Sequence, residues 1–476
     1  MKISKSQWKH FAIALTLFAL AEIFLPVENG LTDAGKNFLS IFIGLVYLWM
    51  TIDTFVSSMI ALAAFGLMQV TKSSSMFSSA FGNGTVAIFI FACIMITAAR
   101  ECGIMKKIAL WFISRKVTAG HPYTFLLMVA IASFVLGALV TNTYSLLIIC
   151  PILLSVCERL NYKRGDSFYL SVFLLALWSV LGGANALPFA KTIFLSMDAA
   201  ASGYGISISY AKIMAFGAPV GLLWCLIGIP VIKYVIRPDF SNFMSYDPIE
   251  IQREMAAEPL TKRGKIVTGG FFAMTLLWCL TIFNGLFLLA TYLNKIGFHV
   301  IGSAVIAILC IVQVDGAPAL NLREIMPKLS WPVAGFLAMI MFTSSGFSNA
   351  DFGIKDYLIS FLSPVFVNVS PVLLVIVGIF IAGIMTNLMS NVVTCVVSLN
   401  IFLPLLMSVS DLGGISPATF CLAVTSAAGM SCATPSSFAG SSLIFGEHID
   451  MKESIKANLI MIFIGLTICC IFAFIF

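Results

Sequence analysis

The sequence predicts an all-α polytopic membrane protein with about eleven transmembrane helices plus two re-entrant hairpins, arranged as an inverted repeat. Three observations lead there. Of 476 residues, 60% are hydrophobic and 10% charged, and the mean hydropathy is +1.03, outside the range of water-soluble domains. Apolar segments of about 17 to 25 residues recur, each long enough to cross a hydrocarbon core of about 30 Å, without the weak alternation of an outer-membrane barrel. Two polar knots inside apolar stretches repeat with their flanking segments in the same order but from opposite sides of the membrane.

The first segment, "MKISKSQWKHFAIALTLFALAEIFLPV", starts charged like a signal peptide, but no clear small-residue cleavage site follows, so it is expected to stay as the first helix. Spanning helices are expected to begin near Phe11, Asn37, Phe55, Val86, Ser167, Ala211, Ile266, Phe298, Trp331, Ser416 and Ile455. Basic residues near helix ends mark the cytoplasmic side, so Lys2, Lys5 and Lys9 place the N-terminus inside. Alternation then puts the loop 237–265, with Arg253, Lys262, Arg263 and Lys265, on the same face, together with the loop around Arg323 and Lys328. The stretch 196–209 carries no Lys or Arg and falls outside. The expected organisation is N-terminal scaffold helices (1–80), a first repeat (81–236), the cytoplasmic loop (237–265), further scaffold helices (266–330) and a second repeat (331–476). The cysteines are scattered through apolar segments with no zinc-ligand spacing and read as packing residues.

Two apolar stretches do not behave as simple spans. The first, 122–157, holds the knot Thr141-Asn142-Thr143-Tyr144-Ser145 and has basic residues on both flanks, Arg100 to Lys116 before it and Arg159 to Arg164 after it. With both ends drawn to the cytoplasm, the stretch is expected to enter and turn back, its polar tip tolerated where protein or a water-filled cavity satisfies it. The second, 364–409, follows "GFSNADFGIKDYLISFLSP" and is expected to enter from the outside.

These stretches belong to an internal repeat. "ECGIMKKIALWFIS" leads to "GALVTNTYS", and "ADFGIKDYLISFLS" leads to "GIMTNLMSNVVT"; Gly103 precedes Asn142 by 39 residues and Gly353 precedes Asn391 by 38. The register continues into "GGANALPFAK" (182–191) and "SCATPSSFAG" (431–440), each with a proline, Pro188 and Pro435, that interrupts a helix and frees carbonyls. Inverted repeats with broken helices are the architecture of secondary transporters, whose sites lie near the membrane midplane. Small hydroxyl and amide residues with free carbonyls suit a hard cation such as Na⁺, and helix N-termini at the tips favour an anion without any arginine.

The paired Asn-centred tips, each preceded by a short amphipathic helix and followed by a Pro-broken helix, resemble the divalent anion:sodium symporter family of the ion transporter superfamily, from about Phe81 to Gly446. "TNTYSLLIICPI" is similar to that family's Ser-Asn-Thr tip with Thr141 for Ser; "TNLMSNVVT" keeps Ser390-Asn391 but has Val392 where Thr is usual. "GGANALPFAK" also lacks the usual Gly-Thr-rich break followed by Pro-Pro-Asn. The resemblance implies a homodimer with a scaffold and a mobile domain that works by an elevator-type movement. It implies carriage of di- or tricarboxylates or sulfate, usually coupled to Na⁺, with some members acting as exchangers. Carried over, Asn142, Thr143, Ser390, Asn391 and the Val392 position would face the substrate, flanked by Pro188 and Pro435. Thr141, Asn142 and the backbone near Gly183 would make one Na⁺ site; Thr386, Asn391 and the backbone near Ala433 would make the other.

Charge inside the membrane is scarce and therefore informative. Lys191 has three readings: it snorkels to the outer interface, pairs with a substrate carboxylate, or stands in for a coupling cation. Glu22, in the first helix and outside the repeats, is expected to serve the scaffold or an interface. "GIMKKIALWFISRKV" (103–117) and "FGIKDYLISFL" (352–362) are expected to lie along opposite membrane surfaces.

An enzyme is not expected: there is no H-E-x-x-H, the histidines (10, 121, 299, 448) are dispersed, and no intramembrane Asp pair occurs. A channel would need a ring-forming filter motif, and a proton antiporter a membrane carboxylate at a knot. The expected function is secondary active transport of small dicarboxylates, with Na⁺ as coupling ion. The alternatives are Na⁺-independent anion exchange and carriage of sulfate, tricarboxylate or another inorganic ion. The expected partners are a small anionic substrate, the lipid bilayer of the cell membrane and a second copy of the chain, with no nucleic acid.

Overall fold

In the computed structural model the described residues are 5–476, apart from 190, 367–368, 410–413 and 436. Lys2, one of the three N-terminal lysines above, lies outside them. The chain opens with α1 (Lys5–Phe24), α2 (Asp33–Thr51), α3 (Thr54–Leu67) and the short α4 (Ser73–Ala80). There follow α5 (Gly84–Glu101), α6 (Ile104–Ile113), α7 (Pro122–Leu139), α8 (Asn142–Arg159), α9 (Ser167–Ala184), α10 (Thr192–Gly203) and α11 (Tyr210–Val231). A central section holds α12 (Pro248–Ala257), α13 (Lys262–Leu280), α14 (Leu288–Ile311), a two-residue β-hairpin pairing Gln313–Val314 with Ala317–Pro318, and α15 (Leu322–Ile325). The last seven are α16 (Trp331–Phe347), α17 (Ile354–Phe366), α18 (Pro371–Met385), α19 (Asn391–Met407), α20 (Pro417–Ala428), α21 (Ala439–Glu447) and α22 (Met451–Ile475).

Helices α5–α11 and α16–α22 repeat element for element. The glycines that open the two amphipathic helices share a reason: Gly103 and Gly353 have φ of +75° and +65°, a left-handed corner that costs glycine little. At Gly353 the corner is also crowded, since a Cβ there would fall 1.7 Å from the Gly30 carbonyl oxygen. Among the described residues eight helices are long and apolar enough to cross a membrane, α2, α5, α7, α9, α11, α13, α14 and α22, and the pair 322–328 and 331–347, bent by 66°, makes a ninth if it is counted as one span.

Both hairpins are present. α7 ends at Leu139, Val140 and Thr141 are extended, and α8 starts at Asn142. Because α6 and α9 each pack against both α7 and α8, the chain must double back at that two-residue break. α18 and α19 likewise both pack on α20. The second hairpin begins at Pro371 instead of near 364, because α17 runs on to Phe366 and the stronger start signal is Ser370, whose hydroxyl accepts from the Leu373 N–H ahead of a proline at the first helical position. The first amphipathic helix stops at Ile113, short of the expected 117.

Close backbone contact holds the first hairpin to its neighbour. A Cβ on Gly137 of α7 would lie 2.2 Å from the Val180 carbonyl oxygen, and one on Gly183 of α9 would lie 2.0 Å from that of Phe134. In a membrane, where apolar surface gains little from leaving lipid, such small-residue contacts supply the dispersion that joins helices. The repeats are also bonded to each other: Trp178 of α9 donates to Asn458 Oδ1 of α22 at 2.8 Å, and Trp224 of α11 to the Met461 carbonyl at 2.7 Å. Glu22 lies near the end of α1, 3.9 Å from Lys36 of α2, which makes it half of an inter-helix ion pair.

Candidate functional site

The two Pro-containing segments break their helices as well. α9 stops at Ala184 and α10 starts at Thr192; α20 stops at Ala428 and α21 starts at Ala439. The second half of each broken helix packs on the hairpin of the other repeat, α10 on α19 and α21 on α8. The breaks also touch, since a Cβ on Gly429 would lie 3.1 Å from Asn185 Oδ1. Two hairpin tips and two helix breaks therefore converge within the protein.

The tips present the groups expected of them. Thr141 and Ser390 are the N-cap residues of α8 and α19, so Asn142 and Asn391 occupy equivalent first positions. Most other Ser and Thr caps, Thr32, Ser209, Thr261, Ser370 and Ser416, turn their hydroxyls back onto their own helix, Ser330 of α16 being an exception. Thr141 and Ser390 do not, which leaves both hydroxyls and, apart from the Asn391 N–H, the first-turn N–H groups of α8 and α19 available to a ligand. Thr141, Asn142, Thr143, Ser390 and Asn391 are all half-buried. Asn142 Oδ1 is a buried acceptor with no donor, and buried atoms without partners also include Asn185 Nδ2, Thr394 Oγ1 and Ser431 Oγ. Each such orphan calls for an explanation, a ligand, an ion or a water among them, and others lie away from the tips, at Ser40, Ser57, Thr268 and Ser344.

The other expected residues are placed as follows. Val392 is buried in the apolar core behind the second tip. Pro188 is buried, whereas Pro435 is exposed. Gly183 packs on α7, as described above. Thr386 donates its hydroxyl to the Ala428 carbonyl at 2.6 Å, joining the second tip to the second break, and the Asn391 N–H donates to the Ser437 carbonyl at 3.4 Å. Gly440, a turn further on, reaches the first hairpin, where a Cβ would lie 2.9 Å from Leu146 Cδ1. Lys191 does not snorkel: it is buried and donates to the Gly137 and Val140 carbonyls at the end of α7.

Three contributors are new to this picture. Asn387 accepts from the Ala433 N–H at 2.8 Å and donates to the Gly383 carbonyl at 2.9 Å, while its own carbonyl accepts from the Thr434 hydroxyl. The Thr386-Asn387 pair repeats Thr141-Asn142 in the sequence, a signal masked by the better register of Asn391. Arg100, a flanking charge in the sequence, lies over the Tyr144 ring, 4.5 Å from its centre, and brings a guanidinium to the first turn of α8. Phe189 of the first break rests on Trp278 and Phe298, of α13 and α14, with ring centres 5.1 and 5.8 Å away.

Inverted repeats, re-entrant tips and broken helices that meet inside a bundle of membrane-length apolar helices define a multi-pass membrane transporter. The chain belongs to the citrate transporter family, CitMHS, whose profile matches residues 45–401. It is 23% identical over 460 residues to the sodium-dependent dicarboxylate transporter SdcS of Staphylococcus saprophyticus, covering 92% of this chain and 85% of that one. It is 29% identical over 129 residues to an uncharacterized transporter of Mycobacterium tuberculosis, 27% of this chain and 29% of that one. Its fold is similar to that of MtrF from Neisseria gonorrhoeae (TM-score 0.60, 16% identity, 92% of this chain and 95% of that one). It is also similar to the YdaH transporter of Alcanivorax borkumensis (TM-score 0.56, 14% identity, 84% and 87%). The expectation of a transporter of this superfamily, and not an enzyme, holds.

Proposed function

We propose that the protein carries a small dicarboxylate across the cell membrane in symport with Na⁺. One observation carries the reading: the hydroxyls of Thr141 and Ser390 make no cap to α8 and α19 at the two tips. One carboxylate at each tip would meet a hydroxyl, an asparagine side chain and first-turn N–H groups, so a dianion is neutralised by dipoles without a buried arginine. The name of the relative SdcS favours a dicarboxylate over sulfate.

The second tip has donors suited to Na⁺: the Thr386 hydroxyl, the Asn391 side chain and the carbonyls around Ala433, a set of neutral oxygens of the kind hard cations take. Transport proceeds by elevator-type movement of the hairpins and broken helices against the remaining helices, in a homodimer with the N-terminus inside. The glycine-packed α7–α9 contact supports a rigid moving unit, and the Phe189 cluster on α13 and α14 is a surface that must slide.

The test is uptake of labelled succinate, citrate and sulfate by reconstituted liposomes, with and without a Na⁺ gradient and with counter-substrate inside. Succinate uptake driven by Na⁺ is expected. No uptake of any of the three under any gradient sinks the reading.

A further inference from the structure

Lys191 is a cation buried in the membrane part of the protein, 5% exposed, at the N-cap of α10. Its Nζ donates to the carbonyls of Gly137 and Val140, where α7 ends and backbone oxygens lose their helical partners. Among the described residues it forms no ion pair with a carboxylate. A buried ammonium carries a desolvation cost of several kcal/mol, so its surroundings must attract positive charge strongly. They do: the partial negative end of α7 and two free carbonyls point at it. Thr141 follows Val140 directly, and Asn142 next to it holds a buried amide oxygen without a donor. The two carbonyl oxygens that Lys191 takes are donors of the kind a hard monovalent cation takes, and Asn142 Oδ1 is not among its partners.

The second repeat supplies the contrast. At the matching N-cap of α21 stands Phe438, with no charge. The second tip is instead tied to its break by neutral groups, Thr386 on Ala428 and Asn387 on Ala433. One break carries a lysine at the start of its second helix and the other does not.

We infer that the Lys191 ammonium is a tethered cation held on the carbonyl donors at the end of the first hairpin's entering helix, so that this half takes no Na⁺ and Na⁺ coupling belongs to the second hairpin alone. Its consequence for coupling rests on the carrier reading above; the occupancy itself does not. Because the ammonium cannot dissociate, it crosses with the hairpin in both directions, and one fewer Na⁺ accompanies each substrate than if both tips were alike.

The experiment is a titration of the purified protein with ²²Na⁺. Wild type is expected to saturate at no more than one ion per chain; two per chain overturns the inference without any variant. Lys191→Met keeps the apolar stem and removes the charge, and it is expected to bind one ion more per chain than wild type and to gain a larger Na⁺-induced rise in melting temperature. Lys191→Gln serves the same comparison where the methionine variant does not fold. A folded variant with an unchanged ²²Na⁺ count makes Lys191 only a cap for α7 and overturns the inference. The readout is binding, so absence of carboxylate uptake in liposomes would end the substrate reading and leave this one standing.

Discussion

Replacing Asn387 by alanine tests whether the second tip is held in place by its break. The side chain satisfies two backbone groups, the Ala433 N–H at 2.8 Å and the Gly383 carbonyl at 2.9 Å. The Asn387 N–H bonds to Ile384, so the Gly383 carbonyl takes its partner from the amide. Alanine orphans both, and each buried orphan costs about 1–3 kcal/mol. Water entering from the half-open tip offsets part of this, so the low end applies, about 2 kcal/mol for the pair. At 1.4 kcal/mol per tenfold, that is roughly a 30-fold rise in the succinate KM or in the Na⁺ concentration for half-maximal uptake. The assay is initial-rate succinate uptake by liposomes across both concentrations, with gel filtration and melting in detergent as the folding control. A folded Asn387→Ala protein with both constants within twofold of wild type refutes the reasoning, because the tip would then hold its geometry without the link.

Asn142→Ala and Asn391→Ala are each expected to abolish transport while the protein still folds; normal uptake by both would make the tips purely structural. Gly183→Ala forces a Cβ to 2.0 Å from the Phe134 carbonyl and, as an overpacked core contact, is expected to cost about 1–3 kcal/mol. That cost is read as a lower melting temperature in detergent, and an unchanged melting temperature would mean that α7 and α9 separate freely. Arg100→Ala removes a guanidinium–ring contact worth about 0.5–1 kcal/mol and is expected to change the turnover rate two- to fivefold while the ²²Na⁺ count stays the same. An unchanged rate would show that the contact does not hold the first hairpin in place.

The repeat was legible because it is written in local signals. Gly103 and Gly353 announce left-handed corners, the basic flanks of 122–157 announce a stretch that returns to its own side, and Asn142 and Asn391 fall at the same distance from those corners. The contacts between tips and breaks were not legible, because they join residues far apart in the chain. Thr386 meets Ala428 and Asn387 meets Ala433 only when the second hairpin packs on α20. The flanking charge of Arg100 gained a partner at Tyr144 in the same way, through the placing of α5 beside α8.

Lys191 marks the boundary between the two kinds of information. The sequence alone determined that the chain lives in a membrane, that it contains an inverted repeat with two polar tips, and that a lysine follows the first helix break. Hydrophobic length, glycine corners and charge flanks act within one or two helices and can be read from spacing. Whether that lysine would reach for water, a substrate or a broken helix was decided by tertiary structure. The packing of α9 against α7 brings the start of α10 to the carbonyls of Gly137 and Val140, and a buried charge settles where unpaired backbone oxygens and a helix dipole await it.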